Sequence, residues 1–117
     1  MPVMVAAVIL VGEIFGLAGP RDELTAVMLR AQRDARAAEG CLRFTFARTL
    51  DDPDVLLLVQ EWSDEAALER HFRSPAHAGY RRDVEGLLAR PSQVRIHRIA
   101  QTVQPTPSTE MDPRRAD

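Results

Sequence analysis

The sequence predicts a small α+β domain of ferredoxin-like type: a split βαβ order giving a four-stranded antiparallel sheet with helices on one face. Three observations predict it. Segments with strand character and segments with helical periodicity follow one another as strand, helix, strand, strand, helix (broken), strand. The two middle strands are joined by Asp51-Asp52-Pro53-Asp54, which is turn chemistry and makes them a hairpin. The first and third strands are apolar on both faces, whereas helices can cover only one. The open face therefore predicts a homodimer with two sheets packed back to back, because an uncovered apolar patch of that size invites aggregation.

The first strand is VMVAAVILVGEIF, about Val3 to Phe15, rich in β-branched residues, with Gly12 as the expected site of a bulge. Gly19-Pro20 opens a helix, and Asp22 and Glu23 suit its positive end. Leu24, Val27, Met28, Ala31, Ala35 and Ala38 recur at three- and four-residue steps as one apolar stripe, and Gly40 stops the helix. Cys41 to Leu50 alternates, with Leu42, Phe44, Phe46 and Leu50 on one side. Val55 to Trp62 is the returning strand, where Leu56, Leu58, Gln60 and Trp62 share a face.

Ser63 is the expected cap of the next helix, with Leu68 and Phe72 facing inward. Ser74-Pro75 restarts the chain as a third helix, on which Tyr80, Val84, Leu87 and Leu88 share a face and which Arg90-Pro91 ends. A last strand runs from Gln93 to about Val103. Residues 1–103 form one domain, and 104–117, rich in Pro and charge, form a disordered polar tail.

Composition narrows the functional classes. The net charge is −2, and the Arg residues are dispersed, so no nucleic-acid footprint is expected. All fifteen basic residues are Arg and there is no Asn, as GC-rich codon usage produces. A single cysteine, Cys41, allows neither an intrachain disulfide nor a Cys-based zinc site, and reads as a small buried apolar residue. The apolar start is too short to span a bilayer and lacks a preceding cation, so no membrane association is expected and a cytoplasmic protein is. No Gly-rich phosphate loop is present, which argues against a Rossmann-bound nicotinamide or flavin.

Glu39-Gly40-Cys41-Leu42, Glu61-Trp62, and Glu65-Ala66-Ala67-Leu68 followed by His71 and Ser74-Pro75 together resemble the antibiotic biosynthesis monooxygenase (ABM) domain family. The likeness covers about residues 3 to 100. It implies a dimeric α+β barrel. Some members are oxygenases without metal or flavin that oxidise polycyclic phenols and anthrones, so the resemblance implies no cofactor. Others degrade haem or process other small molecules.

The resemblance implies that Trp62 lines a substrate pocket and that Arg81, counted from Pro75, reaches it from the third helix; there it could stabilise an enolate or phenolate. His71 is the candidate base. Phe44, Phe46, Leu58, Leu68, Phe72, His77 and Tyr80 are the expected substrate-binding residues. An Asn expected four residues before the Trp is Leu58 here, and a Tyr six residues after it is Leu68. Haem degradation does not fit, since the matching places lack the Asn, the Trp and the axial His. His97 has no visible partner, and three separated His predict no metal site. Three readings follow: a cofactor-independent monooxygenase acting on a hydrophobic aromatic or quinol-type molecule, an isomerase-type enzyme using His71, and a non-catalytic dimeric binding module.

Overall fold

A computed structural model describes residues 5–105. Its elements run β1 (Val8–Gly16), α1 (Arg21–Arg36), β2 (Cys41–Arg48), β3 (Val55–Trp62), α2 (Glu65–Phe72), α3 (Pro75–Asp83) and β4 (Leu88–Arg98). The four strands form one sheet in the order β2-β3-β1-β4, all neighbours antiparallel. This is the ferredoxin-like topology that the sequence predicts. Val3, the expected start of β1, and most of the expected tail lie outside the described residues; Gln104 and Pro105 are exposed and belong to no element.

One face of the sheet meets the helices. Val8, Leu10, Ile14, Leu56, Leu58 and Trp62 point to it and are buried with Leu24, Val27, Met28 and Ala35 of α1. The α1 stripe is as its periodicity predicts, with Ala31 and Ala38 half-buried at its margin. The opposite face carries Ile9, Val11, Val55, Leu57 and Val59, which no element among the described residues covers, leaving Val11 37% and Leu57 38% exposed.

Several boundaries differ from the expected ones, each for a local reason. Asp64, not Ser63, caps α2: its side chain accepts from the Ala67 N–H at 2.8 Å, since a carboxylate serves a helix N-terminus at least as well as a hydroxyl. The inward residues of α2 are Ala67, Leu68 and His71, and Phe72 is 40% exposed. The third helix stops at Asp83, before Arg90-Pro91, because Gly86 turns the chain at φ +82° and starts β4 at Leu88. β4 is an edge strand, where Pro91 costs no ladder bond, and it ends at Arg98 instead of near Val103. The β1 irregularities lie between Glu13 and Gly16, opposite Pro91 and its neighbours, and not at Gly12.

The edge strand β2 is held from α1. Gln32 Oε1 accepts the Phe46 N–H at 2.9 Å, and Arg36 Nε donates to the Phe44 carbonyl at 2.8 Å. One turn apart on the helix, these side chains satisfy two backbone groups that an edge strand leaves unpaired. They also fix where Phe44 and Phe46 project.

Candidate functional site

Strand parity brings the site together. Phe44 pairs with Gln60 and Phe46 with Leu58 across β2–β3, so all four side chains rise toward the helices. His71 from α2 and Ala76, His77 and Tyr80 from the α3 region descend on them. Between the layers is an inner cavity of about 40 Å³ lined by Phe44, Phe46, Leu58, Gln60, His71 and Tyr80, with Ala31, Ala76 and His77 completing it. One water needs roughly 10–15 Å³, so the chamber holds a small group and not a whole aromatic molecule.

The chamber shares a wall with a larger outer groove of about 320 Å³. Leu58, Gln60, His77 and Tyr80 border both spaces. Leu10 adds to the floor of the groove, while Phe72, Arg81 and Val94 form its sides. A flat molecule lying in the groove could thus push one substituent into the chamber.

Aromatic edges organise the walls. The His71 ring centroid lies 5.0 Å from that of Trp62, 5.4 Å from Phe44 and 5.0 Å from His77. Phe46 approaches Tyr80 at 5.8 Å, and Phe72 approaches His77 at 5.4 Å. Such spacings are those at which aromatic pairs attract beyond simple burial.

The titratable groups are tuned toward neutrality. Burial, with His77 close by, brings His71 down to about 4, so its ring is uncharged at neutral pH. His77 is lowered as well, by burial and then by the charge of Arg81. Burial pushes the Tyr80 hydroxyl up to about 12, which keeps its proton in place. His71 is 6% exposed, and its Nε2 is buried without a hydrogen-bond partner among the described residues. An orphaned polar atom at a cavity wall is a place for a ligand or a water.

Trp62 is placed differently from the wall position that the resemblance implies. It is fully buried and lines neither space. Its indole Nε1 donates to Gln60 Oε1 at 2.9 Å. Leu68, 3% exposed, also stands behind the lining, in the core under α2. Arg81 reaches the outer groove only; among the described residues it has no carboxylate partner. His97 lies on β4, exposed and apart from the site. Cys41 is half-buried, and burial raises its thiol. No cluster of three or more metal-ligating side chains occurs among the described residues.

Sequence reasoning missed Gln60, Gln32 and Arg36. Gln60 was legible as a polar residue on the inward parity of an apolar strand, beside Trp62. The roles of Gln32 and Arg36 depend on how α1 crosses the edge of β2, which no local pattern encodes.

Comparison with known proteins agrees with this architecture. Residues 7–83 match the family model described as antibiotic biosynthesis monooxygenase. The uncharacterized protein sll1783 of Synechocystis is 25% identical over 95 residues, 81% of this chain; those residues span 65% of the relative's length. Rv0793 of Mycobacterium tuberculosis superposes with a TM-score of 0.74 at 25% identity, over 85% of this chain and 98% of that one. A conserved protein from Methanosarcina mazei Go1 gives a TM-score of 0.76 at 22% identity, over 81% and 93% of the two chains, and speaks for the fold alone. Among the described residues no helix is long and apolar enough to cross a membrane. With the family model spanning β1 through α3, the chain belongs to the antibiotic biosynthesis monooxygenase family.

Proposed function

We propose that the protein is a cofactor-independent monooxygenase acting on a hydrophobic aromatic or quinol-type small molecule, as a cytoplasmic homodimer. The observation that carries the reading is the pairing of an aromatic-walled chamber with an outer groove bordered by Arg81. The chamber offers neutral polar atoms to a substrate oxygen. The guanidinium offers a positive charge to an electron-rich anion such as an enolate or phenolate, the form that reacts with dioxygen.

In the simplest case a ring methylene becomes a carbonyl. The substrate loses two hydrogens and gains one oxygen atom, while the other oxygen leaves with those hydrogens as water. The electrons that reduce dioxygen all come from the substrate, so no external reductant enters the balance. His71 Nε2 would receive the proton released when the anion forms, and Arg81 would hold the anion.

One observation favours a second reading, the non-catalytic binding module. At about 4, His71 is a weak base, better suited to accepting a hydrogen bond than to removing a proton from a phenol. Oxygen uptake by chelator-treated protein across anthrones, hydroquinones and quinols separates the two, with His71→Ala and Arg81→Leu alongside. Uptake above the spontaneous rate that falls at least tenfold in either variant is the expected outcome. Tight binding of the same compounds with only spontaneous uptake would establish the binding module instead.

A further inference from the structure

We propose that Gln60 is the side chain that selects a ligand oxygen in the inner chamber, and that Trp62 is a positioning residue that sets the Gln60 amide. The inference rests on the reading above for the location of the ligand, not for the chemistry done to it.

An indole N–H donates and never accepts, so the group facing Trp62 Nε1 at 2.9 Å must be the amide oxygen of Gln60. This settles which way the amide points, because the flipped amide would set two donors against each other. The Gln60 NH₂ group is thereby turned away from Trp62. Gln60 is 3% exposed and borders both the chamber and the groove. Among the described residues its N–H groups make no hydrogen bond, and His71 Nε2 in the same chamber is the buried side-chain atom left without a partner.

The unpartnered His71 Nε2, beside the Gln60 amide in an otherwise aromatic and aliphatic chamber, is costly unless something polar joins it. A hydroxyl does so for either tautomer of His71: it accepts from Gln60 and either donates to or accepts from Nε2. A carboxylate or phosphate fits less well, since Arg81 borders only the outer groove. The ligand is thus an uncharged aromatic alcohol, its ring in the groove and its hydroxyl in the chamber. Trp62 touches no part of it, yet without the indole N–H the amide is no longer held with its NH₂ group toward the ligand.

The test is equilibrium dialysis of the full chain at neutral pH with 1-naphthol and with 1-methylnaphthalene, which keeps the shape and lacks the hydroxyl. Wild type is expected to prefer the naphthol by about tenfold or more, from two hydrogen bonds of ordinary strength. Gln60→Leu should cut that preference roughly fivefold, with Gln60→Met as a second variant should Leu fail to fold. Trp62→Phe should cut it similarly. The ratio is the readout, because structural loosening weakens both ligands together and leaves the ratio unmoved. Equal binding of the two probes to wild type, or an unchanged ratio in either Gln60→Leu or Trp62→Phe, overturns the proposal. Failure of both probes to bind, or of the naphthol alone, overturns it together with the substrate class proposed above. Hydroxyl-selective binding without oxygen uptake leaves Gln60 in its role and removes only the oxygenase reading.

Discussion

Gly40 and Ala67 meet where the α1–β2 junction crosses the start of α2. A methyl group on Gly40 would lie 2.5 Å from the Ala67 Cβ and 2.9 Å from the Ser63 hydroxyl. Gly40 also holds φ +84°, and its carbonyl accepts the Ser63 N–H at 2.9 Å. One residue thus fixes the approach of α2 to the sheet.

Gly40→Ala is therefore expected to destabilise the fold by about 2–4 kcal/mol, of which about 1–2 comes from the left-handed backbone and the rest from the clash. Gly86, at φ +82° with open space around it, separates the two contributions, since Gly86→Ala should show only the backbone cost. Urea midpoints of the two variants, with Ala67→Gly added to Gly40→Ala, measure this. Equal losses at both glycines would refute the close contact.

His71 makes stability depend on pH. Its folded value of about 4 lies below the ordinary 6.5, so between these values the unfolded chain binds more protons. Its contribution is present above pH 6.5 and is lost as pH falls toward 4, up to about 3 kcal/mol. His77, also lowered, adds in the same direction; the other rings against His71 (Phe44, Trp62 and Phe72) do not titrate. His71→Phe should flatten the fall between pH 7 and pH 4.5 in urea unfolding. An unchanged slope would show that His71 is not held neutral by burial.

The ion pair of Arg21 with Asp54 ties the first turn of α1 to the β2–β3 turn, with contacts of 2.8 and 3.0 Å. The hydrogen bond from Arg21 is the main reason that the Asp54 carboxyl sits below its usual range. The folded value being depressed, the contribution is present above the ordinary carboxylate value near 3.9 and is lost as pH falls through the folded value. Asp54→Asn should lower the urea midpoint at pH 7, and wild type and variant should converge near pH 2. A difference that persists in acid would assign the effect to packing.

The uncovered sheet face should be the dimer surface. Sedimentation of wild type is expected at twice the 13.1 kDa chain mass. Val11→Glu or Leu57→Glu should raise the dissociation constant by roughly a hundredfold or more, since each buries an unpaired carboxylate. A monomeric wild type at micromolar concentration would refute the assignment.

The fold was legible because its signals are local. The α1 stripe, the Asp51–Asp54 turn and the Ser74-Pro75 restart each specify an element within a few residues. The third helix does start at Pro75, with the Ser74 hydroxyl accepting the His77 N–H at 3.1 Å. The end of α3 was misread because the pattern Tyr80, Val84, Leu87, Leu88 continues past Gly86, and backbone conformation overrides periodicity there. The site was less legible. Parity correctly gathers Leu58, Gln60 and Trp62 on one face, but it does not order them in depth. That Trp62 lies behind Gln60 depends on α2 closing over the end of β3.

Trp62 is the only tryptophan in the chain, and no solvent reaches it. Its emission therefore reports one location, with the His71 ring 5.0 Å away as a neighbour whose imidazolium form quenches indole light. The protein carries its own optical gauge: native emission should be blue-shifted, and it should dim on acidification as His71 gains its proton, before the chain unfolds and the spectrum moves red.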